Sequence, residues 1–380
     1  MRIGIAVNDL TLDKKTGVER YVERLVAEMM MFPLVEGDSV LFYVSHLPST
    51  SYNLPAGWTW RVLSFPFPKG WTHLRLSYEL WRNPPDVFFN PSHEIPCFVS
   101  RKTKVISTVH DVAFRKVRGL YSAKNVARQE WAIARVIKKA SILLAISEAT
   151  KQDLVSLFHV PESRIVVTSL GVDAAHFAVA DRARDEVLQR YRLAHGRYVL
   201  FVGRLEEKKN VVTLIRAFAE LRKGLGVGHP LELVLAGRWG FGEERIKNVL
   251  KAAGEGIRVV GFVPDADLPS LYAGALCFCF PSMEEGFGLP VLEAAAAGVP
   301  VIASDIPALR EAAGDTAVFV SPQDTAAWTS ALRDMVFGTN EREIMIEKGK
   351  SHALKATWHD TAQKTWDVIH RHSVTFNVTE

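Results

Sequence analysis

EEGFGLPVLEAAAAGVPVIAS, residues 284–304, follows the apolar run LCFCFPS (276–282) after a single Met283. An apolar run, a glycine-bearing turn, an alanine-rich helix former and a second apolar run make a strand, loop, helix, strand unit. Pro290 is a residue favoured in the first helical turn, and Gly298 before Pro300 is the expected stop. The helix start offers unpaired backbone N–H groups and partial positive charge, which suit a phosphate or a ring of sugar hydroxyls. Gly286 and Gly288 permit close approach of that backbone. Glu285 lies in the loop and Glu293 about one turn inside the helix. An ionised carboxylate only accepts hydrogen bonds, so the neighbouring hydroxyls of a ribose or a hexose are natural partners. A solvated helix residue and an acid that favours the helix start remain open readings of the same two residues.

The alternation extends in both directions. YVLFVGR, LELVLAG, IRVVGF and TAVFV complete one series of strands, and RIGIAV, VLFYV, DVFFN, KVISTV and SILLAIS form an earlier one that ends near VVTSLGVD. Between them run helical stretches: Val18, Val22, Leu25, Val26 and Met29 recur on one face, and WAIARVIKKA and EATKQDLVSLF follow. Such alternation predicts parallel sheets covered by helices. With 380 residues, beyond the roughly 250–300 that one core supports, two domains are expected. The expected layout is a first domain over 1–175, a charged linker over 176–196, a second domain over 197–356, and a closing helix within 357–380 that carries Trp358 and Trp366 and returns to the first domain.

In open α/β sheets ligands sit beyond the carboxyl ends of the strands, so the residues after each apolar run are the candidates. VGRLEEKKN (202–210) puts Gly203, Arg204 and Lys209 after a strand, where a forked donor and a point charge suit a diphosphate. A surface loop in which Lys208 and Lys209 pair with Glu206 and Glu207 fits the same letters. His110 and Asp111 end KVISTV, and a strand-end histidine can donate to a substrate oxygen or shuttle a proton. Gly17, in KKTGVERY, stands between the first strand and the first helix, where either a ligand or a tight turn calls for glycine.

Composition narrows the class further. The chain is 48% hydrophobic and 23% charged, as soluble globular proteins are. It has no run near the ~18 apolar residues of a membrane span, and MRIGIAVNDL turns polar too early for a secretion signal, so a cytoplasmic address is expected. Cys97, Cys277 and Cys279 make no disulfide framework, and CFCF reads as buried strand rather than a zinc site. The net charge of +4 is uneven, with eleven basic residues against Asp111 and Glu130 in residues 101–139. That region is either a solvated surface or one drawn to an anionic leaflet or a phosphate-bearing acceptor. No standard nucleic-acid motif is present, and no nucleic-acid partner is expected. Asp265 and Asp267 imitate a metal-binding D-x-D but precede a helix, where Asp caps. GRWGFGEE lacks the G-x-G-x-x-G order, and its Glu243 and Glu244 would repel a phosphate.

EGFGLPVLE resembles the E-x7-E signature of retaining glycosyltransferases. With VGRLEEKKN, TVHD, AISEATKQDL and LGVD in that order, the chain resembles glycosyltransferase family 4 over nearly its whole length. The resemblance implies an α/β protein of GT-B fold, two Rossmann-like domains whose parallel sheets face a central cleft that closes around the donor. It implies that Arg204 and Lys209 bind the diphosphate of a nucleotide diphosphate sugar and Glu293 the ribose. Glu285, with Phe287, Gly288 and Leu289, would hold the transferred sugar. His110 would face that sugar, Gly17 would lie near the diphosphate, and Asp111, Gly203 and Gly286 complete the donor set. No metal or other cofactor is implied. The family commonly has two glycines where this chain has Thr16 and Gly17, and often asparagine where it has Leu170. STVHDVAF and AISEATKQDL look most like bacterial mannosyl- and rhamnosyltransferases of surface polysaccharide assembly. GDP-mannose is therefore the expected donor, with UDP-sugars next, and a glycan or polyprenyl-linked glycan the expected acceptor. A peripheral contact with the inner membrane would suit residues 101–139. A non-catalytic nucleotide-sugar binding module is the rival from another class.

Overall fold

The computed structural model describes residues 1–12, 17–67, 69–92, 94–226, 228–338 and 340–371. Thr16 and residues 372–380 of the expected closing segment lie outside the described residues.

The chain forms two compact units. The first comprises Met1–Val112, Ala123–Leu170 and the helix Trp358–Arg371, and the second comprises Ala113–Ser122 and Gly171–Thr357. The first unit holds seven strands: β1 (Arg2–Ala6), β2 (Ser39–Val44), β3 (Trp58–Val62), β4 (Val87–Asn90), β5 (Lys104–Val109), β6 (Ile142–Ala145) and β7 (Ile165–Val167). They pair in the order β3-β2-β1-β4-β5-β6-β7, every pair parallel. The second unit holds β8 (Tyr198–Val202), β9 (Glu232–Ala236), β10 (Ile257–Gly261), β11 (Cys277–Phe280), β12 (Val301–Ser304) and β13 (Ala317–Val320), paired in parallel as β10-β9-β8-β11-β12-β13. Helices cover both faces of a parallel sheet, so its inner strands are continuous apolar runs. β4, β6, β11 and β12 are buried at every position. β3 differs: as an edge strand with Thr59, Arg61 and Val62 exposed, it has no such run, and the hydrophobic pattern does not single it out.

Residues 176–196 are more than a connector. They contain the helix Asp181–Arg190, which buries Val187 and Leu188 and packs on the helix Leu268–Gly274 of the second unit. The boundary falls at Leu170 and Gly171 instead. The helix Trp358–Arg371 packs on the helix Gly17–Met29 of the first unit. There Trp366 stacks on Trp58 with centroids 5.6 Å apart and planes 11° from parallel. The Thr361 hydroxyl donates to the Ser169 carbonyl at 2.7 Å.

Candidate active site

Both sheets reverse their strand order at one place, between β1 and β4 in the first and between β8 and β11 in the second. At such a switch point the two connections leave toward opposite faces and open a crevice beyond the strand ends. In the second unit the loops flanking that crevice are the two singled out by their residues, 203–210 after β8 and 281–288 after β11.

Lys209 does not pair with Glu206 or Glu207. Its ammonium donates to the Glu285 carboxylate, so the pair spans the two loops, and the side chains are only 16% and 10% exposed. The Lys209 ammonium also lies 5.1 Å from the centre of the Phe280 ring at the end of β11. Backbone and side-chain bonds brace the contact: Met283 N–H donates to the Lys208 carbonyl at 2.9 Å, and Asn210 Nδ2 to the carbonyls of Pro281 at 3.1 Å and Pro322 at 2.7 Å. Asn210 holds φ 51°, a left-handed geometry asparagine tolerates better than most residues. Arg204 contrasts with Lys209, its side chain 63% exposed and its Nε 3.7 Å from a Glu206 oxygen. Its guanidinium is thus a charge presented to solvent beside a charge already neutralised. Gly203 precedes it, and its carbonyl oxygen sits 1.8 Å from where a Cβ on Gly237 would be. The loop after β9 can close on this strand end only because residue 237 is glycine.

The helix after β11 runs Leu289–Ala296, with Pro290 in its first turn and Gly298 at φ 72° just past its end. Gly288 is its N-cap at φ 121°, and a Cβ there would come within 2.5 Å of the Leu309 side chain, so the tight entry to the helix requires glycine. Gly286 and Phe287 are buried beside it, while Leu289 is half-buried. Glu293 is 7% exposed and accepts a hydrogen bond from the Tyr272 hydroxyl at 3.0 Å. A carboxylate this deep needs donors, because leaving it unpaired would cost several kcal/mol. Tyr272, itself fully buried, packs edge-on against Phe177 and Phe278. Sequence reasoning misses Tyr272, since tyrosine in an apolar helix reads as core. It misses Glu284 too, which is 7% exposed and bonded to Lys116 at 2.7 Å. Lys116 lies in the segment Ala113–Ser122, which belongs with the second unit although it follows β5 in the chain.

In the first unit His110 follows β5 and is 7% exposed. Its Nε2 lies 2.8 Å from the Pro91 carbonyl oxygen, which can only accept, so Nε2 carries the proton. The ring meets Tyr21 edge-on at 4.8 Å. Asp111 is half-buried next to it. Gly17 opens the helix Gly17–Met29, exposed, and a Cβ there would meet nothing within 4 Å among the described residues. Asp9, just beyond β1 at the first sheet's switch point, is a residue the sequence pattern does not reveal. Burial pushes its carboxyl up to about 6, with Glu19 adding repulsion.

The D-x-D imitation resolves differently from expectation. Asp267 occupies the N-cap position of the helix Leu268–Gly274, but its side chain makes no capping bond. It accepts from Arg190 Nη2 at 2.7 Å and from the Tyr191 hydroxyl at 2.9 Å, because the Asp181–Arg190 helix ends against it. Among the described residues no group of three His, Cys, Asp or Glu side chains could hold a metal ion, and no helix is long and apolar enough to cross a membrane. The basic stretch 101–139 is not one uniform patch. Lys116 pairs with Glu284 and Arg128 with Glu94, while Arg135 and Lys139 donate to the carbonyls of Pro96 and Cys97.

Two parallel α/β units of this topology make the GT-B fold, which solved glycosyltransferases share. Residues 15–176 match the family described as Glycosyltransferase Family 4, and residues 184–352 match Glycosyl transferases group 1. The O-antigen chain mannosyltransferase B of Escherichia coli is 30% identical over 73% of this chain and 72% of its own length. A D-inositol 3-phosphate glycosyltransferase of Salinispora tropica is 35% identical over 62% of this chain and 52% of its own. The Anabaena protein HepE in complex with UDP-glucose superposes with a TM-score of 0.74 at 15% identity, over 98% of this chain and all of that one. WaaG, a glycosyltransferase involved in lipopolysaccharide biosynthesis, superposes with a TM-score of 0.73 at 16% identity, over 97% and 99% of the two chains. The chain belongs to glycosyltransferase family 4 and is a transferase enzyme.

Proposed function

We propose that the enzyme transfers a hexose, with retention of anomeric configuration, from a nucleotide diphosphate sugar to a hydroxyl of a glycan or lipid-linked glycan. The observation that carries this reading is the charge arrangement at the second sheet's switch point: exposed Arg204, the Lys209–Glu285 pair, and buried Glu293 one turn into the next helix. As the glycosidic bond breaks, charge accumulates on the departing diphosphate. Arg204, Lys209 and the N–H groups at the start of Leu289–Ala296 stabilise it where it forms, and these cations meet the need a metal ion would otherwise serve. Lys209 then exchanges its carboxylate for phosphate, which releases Glu285 to accept from sugar hydroxyls. Glu293 takes the ribose hydroxyls, Gly203 and the backbone of Gly286, Phe287, Gly288 and Leu289 line the donor, and Gly17, His110 and Asp111 are assigned to its diphosphate and sugar. Because Glu293 serves the ribose, the two acids do not flank one anomeric carbon as in a double displacement. The acceptor attacks from the leaving-group face, and a leaving phosphate oxygen takes its proton.

Mannose from GDP-mannose is the preferred donor, supported by the likeness to the E. coli O-antigen mannosyltransferase. A peripheral position at the inner membrane suits a lipid-linked acceptor. A thermal-shift panel of GDP- and UDP-sugars tests the donor, with the largest shift expected for GDP-mannose. A larger shift with a UDP-sugar overturns that choice. Proton NMR of the product tests retention, and an inverted linkage overturns the mechanism. Failure to release nucleotide diphosphate with any acceptor would instead favour a binding module.

A further inference from the structure

After Val112 the chain leaves the first unit, and it rejoins that unit at Ala123. The strap between, 113–122, packs with the second unit and consists of one helical turn, Ala113–Lys116, and a 3-10 turn, Arg118–Leu120. Ala113 and Phe114, at most 2% exposed, anchor its start. The strap touches both loops of the donor crevice. The Lys116 ammonium donates to the Glu284 carboxylate at 2.7 Å in the loop after β11. In the loop after β8, the Lys208 ammonium lies 6.0 Å from the centre of the Tyr121 ring.

The loop after β11 thus carries two adjacent acids that look to different cations. Glu285 takes Lys209 and Glu284 takes Lys116, and each carboxylate is only 10% exposed. Neighbouring carboxylates with so little water repel each other, and each needs a cation close by. The backbones decide which cations are within reach. Met283 N–H donates to the Lys208 carbonyl at 2.9 Å, so Glu284 and Lys209 each stand one residue past that bond. Hydrogen-bonded segments lie about 5 Å apart, a gap that a glutamate and a lysine side chain span together. Lys209 is therefore within reach of both acids, and Lys116 draws Glu284 away from it.

We propose that Lys116 is a positioning residue of the donor site, whose hold on Glu284 reserves Lys209 for Glu285 and so for the diphosphate that displaces Glu285. This rests on the assignment of Lys209 to the diphosphate, and it adds a residue from a strap that sequence reasoning does not connect with the donor. With Lys116 in place, an incoming diphosphate has one acid to displace from Lys209. Without Lys116, Glu284 turns to Lys209, and the diphosphate meets a lysine held by two carboxylates. Neutralising Glu284 removes the competitor, so the same substitution of Lys116 then costs little. A mere brace behaves otherwise, because it fails whichever partner is lost.

Isothermal titration calorimetry of the whole chain with GDP, UDP, ADP and dTDP tests the proposal. Lys116→Met should weaken the diphosphate that the parent binds by about tenfold, the size of one coupled ionic neighbour. Lys116→Arg keeps the cation and should stay within about threefold of the parent. Glu284→Gln and Lys116→Met/Glu284→Gln should both bind within about twofold of the parent. Should Lys116→Met melt early, Lys116→Gln, which can still donate to Glu284 but carries no charge, replaces it. The proposal is overturned if Lys116→Met binds like the parent or if the double variant is as weak as Lys116→Met. It is equally overturned if Glu284→Gln alone weakens binding by about tenfold, since the pair is then a brace. If the folded parent binds none of these diphosphates, the donor reading has failed and the proposal falls with it, whereas parent binding with the wrong variant pattern sinks the proposal alone.

Discussion

Lys209 and Glu285 should show their pairing most clearly when one partner is lost and then both. Their side chains are 16% and 10% exposed, so each charge has given up most of its water for the other. Breaking a buried pair costs about 3–5 kcal/mol, mainly because the surviving charge stays buried and uncompensated. The residual exposure here puts Lys209→Met and Glu285→Gln near the lower end, about 2–3 kcal/mol each. In a unit of some 200 residues each kcal/mol moves the melting temperature by about 2–4 °C, so either single variant should melt roughly 5–10 °C early. Lys209→Met/Glu285→Gln leaves no orphaned charge and should return to within about 1 kcal/mol of the parent. Differential scanning calorimetry of all four proteins closes the cycle. The double variant should nonetheless release no nucleotide diphosphate, because it has lost the cation assigned to the leaving group. If the double variant falls by the sum of the two singles, or if both singles melt with the parent, the pair is not the coupled unit described and the reasoning fails.

Tyr272→Phe removes the hydroxyl that bonds Glu293, and should raise the donor KM about tenfold with little change in kcat, as loss of a hydrogen bond to a charged group implies. It should also blunt discrimination against a 2′-deoxyribose diphosphate, measured by isothermal titration calorimetry. Asp9 gives a pH signature. Its carboxyl sits at about 6 in the folded chain against 3.8 ordinarily. As pH rises between those values the unfolded chain ionises while the folded one keeps its proton, so stability is lost across the window and stays lower above it. Asp9→Asn should therefore match the parent near pH 4 and exceed it at pH 7.5 by at most about 3 kcal/mol, and parallel melting curves from pH 4 to 7.5 would contradict the assignment. Trp366→Ala removes the ring stacked on Trp58 and should destabilise the first unit by about 3–5 kcal/mol, read as faster proteolysis within that unit.

The two parallel sheets are legible in the sequence because strands buried on both faces leave unbroken apolar runs, and RIGIAV, KVISTV, SILLAIS and CFCF are all of that kind. β3 is not, since an edge strand owes nothing to burial on its outer side. Glycine and proline punctuation makes the loop before Leu289–Ala296 readable, because backbone geometry alone demands Gly288. Partnerships across space are hidden. Lys209 stands beside two glutamates in sequence and bonds a third that is 76 positions away. Asp267 looks like a cap and instead ends the Asp181–Arg190 helix, since only the folded chain brings Arg190 and Tyr191 to it.

The return of Trp358–Arg371 to Gly17–Met29 has a consequence for biogenesis. A ribosome delivers the first sheet early but withholds the helix that covers its flank until the whole second unit has been made. Throughout that interval Trp58, Phe32 and the inner side of Gly17–Met29 lack their final cover, and apolar surface left open in this way is prone to aggregate. Anyone expressing that half in isolation should graft residues 358–371 onto it, or expect aggregates.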